Sequence, residues 1–276
     1  MLRLWGFAAA FLAWVACQFG CQQVPGTGAG LQRDILTAGQ FRLALTRPNL
    51  KAVRQPLARP WRIVLIDGDG RAFLTPTRVA ADPTPRRSWL YDQIGPLQAI
   101  AETQYLGRPC YWQTADPACH PRFWTTHRYS SVVRDSLRVA IESIAADGAR
   151  LILVGYSGGG YLAIRLAQRL PTSVGALVTI AAPMNPSAWT AHHGYTPLVD
   201  ADAAPPGDLP LPQRCQRHLI GSRDRELPLA LTRTWLPPVT ESVVLSDARH
   251  DCCWEAALRS ALKGLLNDCS ALRSEL

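Results

Sequence analysis

Lysine stands at only two of the 276 positions, Lys51 and Lys263, so the formal charge of +8 comes almost entirely from scattered arginine. No Lys/Arg run with interleaved aromatic residues occurs, and the electrostatic footprint of a nucleic-acid binder is missing with it. No CxxC or HxxxH spacing links any of the eight cysteines or six histidines, which leaves no pattern for a metal site. No segment repeats, so a solenoid is excluded. The low hydrophobicity of a disordered chain is absent too: 47% of residues are hydrophobic and nine are Trp, enough for a substantial core.

The N-terminus carries an address. Met1-Leu2-Arg3 is a short basic stretch, and Leu4 to Ala16 is an apolar run too short for the ~20 residues of a spanning helix. Residues 1–16 therefore read as a signal peptide. Ala13-Trp14-Val15-Ala16-Cys17 resembles a bacterial lipoprotein signal, in which Cys17 becomes the lipidated first residue; an ordinary cleaved secretory signal is the alternative. The expected location is the bacterial cell envelope, with a lipid anchor in the membrane facing the periplasm or the cell surface. Residues 17–40, opening on a Gly/Gln/Pro-rich stretch, read as a tether.

Export makes the remaining cysteines candidates for disulfides. Cys110 and Cys119 close a short polar loop and form the first expected pair. Cys253 and Cys269 flank an expected C-terminal helix of about 14 residues, whose ~20 Å length exceeds the ~7 Å Cα limit for a bridge. That leaves Cys215 expected to pair with Cys252 or Cys253.

From residue 41 the chain alternates apolar strands with amphipathic helices. The runs at 62–66, 103–106, 150–154, 175–180, 217–221 and 241–246 read as strands. Helices are expected from near Pro96, from Ser131, from Ser157 to Leu170, and from Trp254 to Leu266. Apolar strands alternating with helices imply an α/β class: a mostly parallel sheet with helices on both faces, in a single domain. Residues 181–214 show no clear period and read as an insertion beside the site.

The chemistry centres on Gly155-Tyr156-Ser157-Gly158-Gly159, a GxSxG pattern between a buried strand and a helix. Glycines let the backbone turn sharply there, and the helix N-terminus favours developing negative charge. A serine needs a base and the base an orienting acid. His250 follows the strand ending at Ser246, and Asp224 follows the one ending at Gly221; His218 is set aside because it lies inside a strand. The N–H of Gly158 is one expected oxyanion donor. The turn Asp67 to Gly70 is expected to supply the other, through the Asp69 N–H, with Gly70 next.

The stretches IDGDGRAFLTPTRVAADPTPR, GRPCYW, RFWT, LVGYSGGGYLA, SAWTAHHGYTPL and GSRDRELP together resemble the α/β-hydrolase fold, and more closely a group of bacterial exported hydrolases. The resemblance implies an α/β-hydrolase domain over 41–270, with Ser157, His250 and Asp224 as nucleophile, base and orienting acid. It implies a serine hydrolase and supplies no substrate; a Ser-His-Asp triad acting through an acyl-enzyme makes carboxylic esters the default small-molecule substrate and needs no cofactor. A peptidase or amidase on the same triad is the second expectation. A non-catalytic envelope lipoprotein that keeps the fold is the third.

Overall fold

Continuous apolar runs need a partner on each face, and in this chain they find it in one twisted sheet. A computed structural model describes residues 30–49, 61–112, 115–205, 209–236 and 243–270. The expected signal peptide, Cys17 and the first part of the tether lie outside these. In chain order the elements are β1 (Leu31–Ala38), β2 (Phe41–Pro48), β3 (Trp61–Ile66), β4 (Phe73–Thr75), β5 (Arg78–Val79), α1 (Ile94–Leu97), β6 (Glu102–Leu106), α2 (Ser131–Ile144), β7 (Arg150–Tyr156), α3 (Gly158–Arg169), β8 (Val174–Ile180), α4 (Pro186–His193), β9 (Gln216–Gly221), α5 (Leu229–Thr232), β10 (Val243–Ser246) and α6 (Glu255–Ser270).

Eight strands form the sheet in the order β1-β2-β6-β3-β7-β8-β9-β10. β1 and β2 are an antiparallel edge, β2 is antiparallel to β6, and every later pairing is parallel. A small antiparallel hairpin, β4 with β5, stands apart from it. β1 starts inside the stretch expected to be a tether through residue 40; its eight-residue register against β2 supplies the backbone partners that a tether lacks.

The strand side chains alternate between two cores. Val64 and Ile66 join Leu137, Ile141, Leu162 and Leu166 of α2 and α3 on one face. Ile63 and Leu65 join Ile94, Leu97, Leu258 and Leu262 of α1 and α6 on the other. Parallel strands covered on both faces have no polar side to show, which is why all seven residues of β8 are buried.

The helix expected near Pro96 opens earlier, as a 3-10 turn at Tyr91–Gln93 running into α1. The 181–214 segment contains α4, which its residues cap fully. The Asn185 side chain accepts from the Ala188 N–H, Pro186 takes the first helical position, and Gly194 ends the helix in the left-handed conformation.

The disulfide between Cys110 and Cys119 forms as expected. The Cys215 pairing requires correction: its partner is Cys269, and Cys252 bonds to its neighbour Cys253. A helix following a parallel strand runs back antiparallel to it. The far end of α6 therefore returns to the start of β9, where Cys215 stands. The helix length that keeps Cys253 from Cys269 is what carries Cys269 to Cys215.

His218 shows why a strand histidine is a poor base. It is fully buried in β9, with Nδ1 2.8 Å from Thr179 Oγ1 and Nε2 3.2 Å from Gln216 Oε1. Burial, helped by the nearby Arg217 charge, pushes its pKa down to about 3. The unfolded chain takes up this proton near ~6.5, whereas the folded chain holds off until about 3. Stability from this group is present above that window and is lost as pH falls through it, at about 1.4 kcal/mol per pH unit for one proton. His218→Gln is expected to flatten the pH dependence of the urea midpoint by one proton between these values. An identical slope in wild type and variant would refute the assignment.

Candidate active site

β7 delivers Tyr156 to the carboxyl end of the sheet, and the chain turns at once into α3. Ser157 occupies that turn with φ 50°, outside the usual range of a side-chain-bearing residue. The turn is sharp because α3 packs straight back on the strands. A Cβ at Gly155 would lie 2.3 Å from the Gly159 carbonyl oxygen, and one at Gly159 would lie 2.2 Å from that of Ile66. Both glycines are thus required by close backbone approach.

The structure brings Ser157, His250 and Asp224 into one hydrogen-bonded row. Asp224 Oδ2 is 2.8 Å from His250 Nδ1, and His250 Nε2 is 3.1 Å from Ser157 Oγ. A carboxylate only accepts, so Nδ1 carries the proton and Nε2 is left to accept from the serine hydroxyl. Asp224 is almost wholly buried. Its other oxygen accepts from the N–H groups of Glu226 (2.9 Å) and Leu227 (2.8 Å), so the residue closes its own loop as well as orienting the imidazole.

The His250 backbone is held independently. Its carbonyl accepts from Tyr156 Oη (2.8 Å) and from Trp254 Nε1 (3.0 Å), and Trp254 is fully buried. Asp247 and Asp251, the other acids of that loop, pair with Arg223 and Arg249.

The Asp67–Gly70 turn lies against Ser157. A Cβ on Gly68 would fall 3.2 Å from Ser157 Cβ, and one on Gly158 would fall 2.3 Å from Asp69 Oδ1. Among the described residues the N–H groups of Asp69, Gly70 and Gly158 have no acceptor. The residues expected to donate to an oxyanion are therefore together, unpaired, beside the serine.

What holds this turn was missed in the sequence. The Asp69 carboxylate receives Arg108 Nη1 (2.6 Å), Arg128 Nη1 (2.8 Å) and Tyr129 Oη (2.8 Å). Burial opposes its charge, but Arg128 and Arg108 outweigh that and hold its pKa down at about 2. Arg108 also donates to the Gly68 carbonyl (3.0 Å), and Tyr111 Oη to the Asp69 carbonyl (2.9 Å). Asp67 is buried and bonded to Ser88, to Tyr105 Oη and to the Gly68 N–H; burial raises its pKa. Arg108 and Tyr111 lie in the GRPCYW stretch, but no period or spacing ties these partners to the turn. The nearest hint is Cys110, whose disulfide pins the loop next to Arg108.

A cleft of about 1090 Å³ opens over Ser157 and His250. One wall comes from α4 and its C-terminal loop, where Trp189, His193 and Tyr195 pack edge-on or stacked. His120 Nδ1 accepts from the Arg122 N–H at 3.2 Å, and His127 Nδ1 lies 2.9 Å from Thr126 Oγ1. Among the described residues no group of His, Cys, Asp and Glu could hold a metal ion.

No family model and no curated protein matches the chain. Solved structures do. A serine hydrolase without a lid from Xanthomonas campestris superposes with TM-score 0.55 at 16% identity, over 87% of this chain and 94% of that one. An esterase of Pyrococcus furiosus superposes with TM-score 0.56 at 11% identity, over 86% and 90%. A bacterial membrane phospholipase A described as a virulence factor superposes with TM-score 0.57 at 17% identity, over 86% and 87%. Together with the eight-stranded, mostly parallel sheet, these likenesses show that the chain has the α/β-hydrolase fold.

Proposed function

We propose that this protein is a serine hydrolase that cleaves carboxylic esters through an acyl-enzyme. The observation that carries the reading is the Ser157–His250–Asp224 row at the floor of the cleft, beside three unpaired amides. Ser157 Oγ attacks the carbonyl carbon as His250 Nε2 takes its proton. Asp224 keeps the imidazole in the tautomer that can accept it and stabilises the resulting imidazolium. The Gly158 and Asp69 N–H groups meet the oxyanion. His250 returns the proton to the leaving alcohol. Water, activated by the same imidazole, then releases the acid and restores the hydroxyl. The esterase and phospholipase among the similar structures support the hydrolase class, and the aromatic wall of α4 suits an acyl chain.

A fluorophosphonate probe is expected to label the protein, with the adduct mapped to Ser157 by peptide mass. An unlabelled wild type would leave the fold as a non-catalytic envelope module. Amides and peptides share the first steps, so rates across short and long acyl esters, amides and peptides separate the two enzyme classes.

The reading extends to export with a lipid at Cys17, supported by the basic-apolar N-terminus and by three disulfides among the described residues. Cys17→Ser is expected to move the protein from the membrane to the soluble fraction; an unchanged distribution argues for a different anchor or none.

A further inference from the structure

The charges lining the cleft do not cancel in place. Each acidic group there has a partner: Asp69 holds Arg108 and Arg128, Asp67 holds Ser88 and Tyr105, Glu226 accepts from Trp189 Nε1 at 3.1 Å, and Asp251 lies 3.5 Å from Arg249. Two cations of the same cleft, Arg71 and Arg87, line it with Ser157 and His250, yet among the described residues neither side chain meets an acceptor.

Arg71 follows directly on the turn that abuts Ser157, and Arg87 is next to a residue bonded to that turn. Gly70 takes φ 59°, a Cβ there would lie 2.2 Å from the Pro83 carbonyl oxygen, and the Arg71 N–H donates to that same oxygen at 2.7 Å. Arg71 therefore leaves the turn from an anchored backbone. Arg87 precedes Ser88, whose hydroxyl is bonded to the Asp67 carboxylate at the other end of the turn. Two positions tied to the proposed oxyanion turn thus line the cleft over Ser157 with arginine. A guanidinium stays charged at any physiological pH, and its planar fork matches carboxylate and phosphate oxygens.

We propose that the substrate carries a carboxylate or phosphate group besides the bond that is cleaved, and that Arg71 and Arg87 bind it. This names the substrate class of the serine-hydrolase site and rests on that reading. The α4 aromatic wall and the exposed Phe73, which also lines the cleft, would take the apolar part of such a molecule.

The test compares 4-nitrophenyl valerate with the 4-nitrophenyl monoester of glutarate, which has the same chain length and a terminal carboxylate. Wild type is expected to favour the glutarate ester in kcat/KM, and to lose that preference as ionic strength rises. Arg71→Gln with Arg87→Gln is expected to lower the glutarate-to-valerate ratio by roughly tenfold or more, as for lost hydrogen bonds to a charged group. Lysine at both positions should restore part of it. An equal ratio in wild type and the glutamine variant overturns the proposal. A second arm needs no turnover: calorimetry of Ser157→Ala protein with glutarate and with glycerol phosphate, with and without the glutamine pair. Binding of either anion that the glutamine pair abolishes supports the subsite, and which anion binds identifies the group. Binding of neither overturns it. Failure of the fluorophosphonate label sinks the hydrolase reading separately, because the anion arm does not depend on it.

Discussion

Ser157→Ala is expected to lower ester kcat/KM by roughly 10⁴ to 10⁶-fold without lowering the melting temperature. The side chain is removed from a turn whose shape is set by Gly155 and Gly159, so alanine inherits the backbone. What disappears is the hydroxyl oxygen that lies 3.1 Å from His250 Nε2 and would form the acyl bond. The unpaired amides of Asp69 and Gly158 stay, and with the cleft they account for whatever rate over water survives. Asp224→Asn is expected to cost about 10⁴-fold, for a different reason. An amide nitrogen facing Nδ1 favours the tautomer with the proton on Nε2, and that nitrogen then has no lone pair for the serine proton. Because the three residues act as a unit, the double variant should be hardly worse than Ser157→Ala alone. Steady-state kinetics on one activated ester decide this: effects that multiply would mean that Asp224 acts elsewhere.

Arg108→Met is the substitution expected to cost most in stability, about 3 to 5 kcal/mol. Arg108 is almost completely buried, and three acceptors and two rings depend on it: the Asp69 carboxylate, the Gly68 carbonyl, the Arg128 carbonyl and the faces of Tyr111 and Tyr129. Methionine fills the volume but satisfies none of the oxygens. The Asp69 side chain keeps 19% exposure and its Arg128 partner, which places the loss toward the lower end of that range. The pH dependence carries a signature. Arg108 helps hold the Asp69 pKa at about 2, below its ordinary value of 3.8. The pair therefore contributes fully above pH 3.8, and the contribution is lost as pH falls through 2. The gap in urea midpoint between wild type and Arg108→Met should be widest near neutrality and close in acid, and Asp69→Asn in the variant should recover part of it. A gap that does not change with pH would mean that packing, not charge, explains Arg108.

How much of this was legible depended on whether the physics was local. β7, the turn and α3 could be read because a buried strand, a glycine-flanked serine and an amphipathic helix each have a short-range period or pattern. Asp224 and His250 could be read because a parallel sheet places loop residues after strand ends on one edge, so order along the chain stands in for position. α4 was missed because its capping residues, Asn185 and Gly194, lie among prolines and small residues that hide the period. The Cys215 pairing was misjudged because it depends on the direction in which α6 runs over the sheet.

The sequence by itself determined the fold class, the nucleophile turn and the order of the three residues that meet there, since these follow from patterns a few residues wide and from the handedness of parallel sheets. Only the tertiary structure decided what holds the Asp67–Gly70 turn. Arg108, Arg128 and Tyr129 reach Asp69 from 39 to 60 residues away. No periodicity records that distance; burial of a charged group selects its partners by proximity in the folded chain. The same holds for Arg71 and Arg87, which meet no acceptor among the described residues and which a count of charges cannot tell from any other arginine. They are distinguished only because the fold pairs every acid around them with something else.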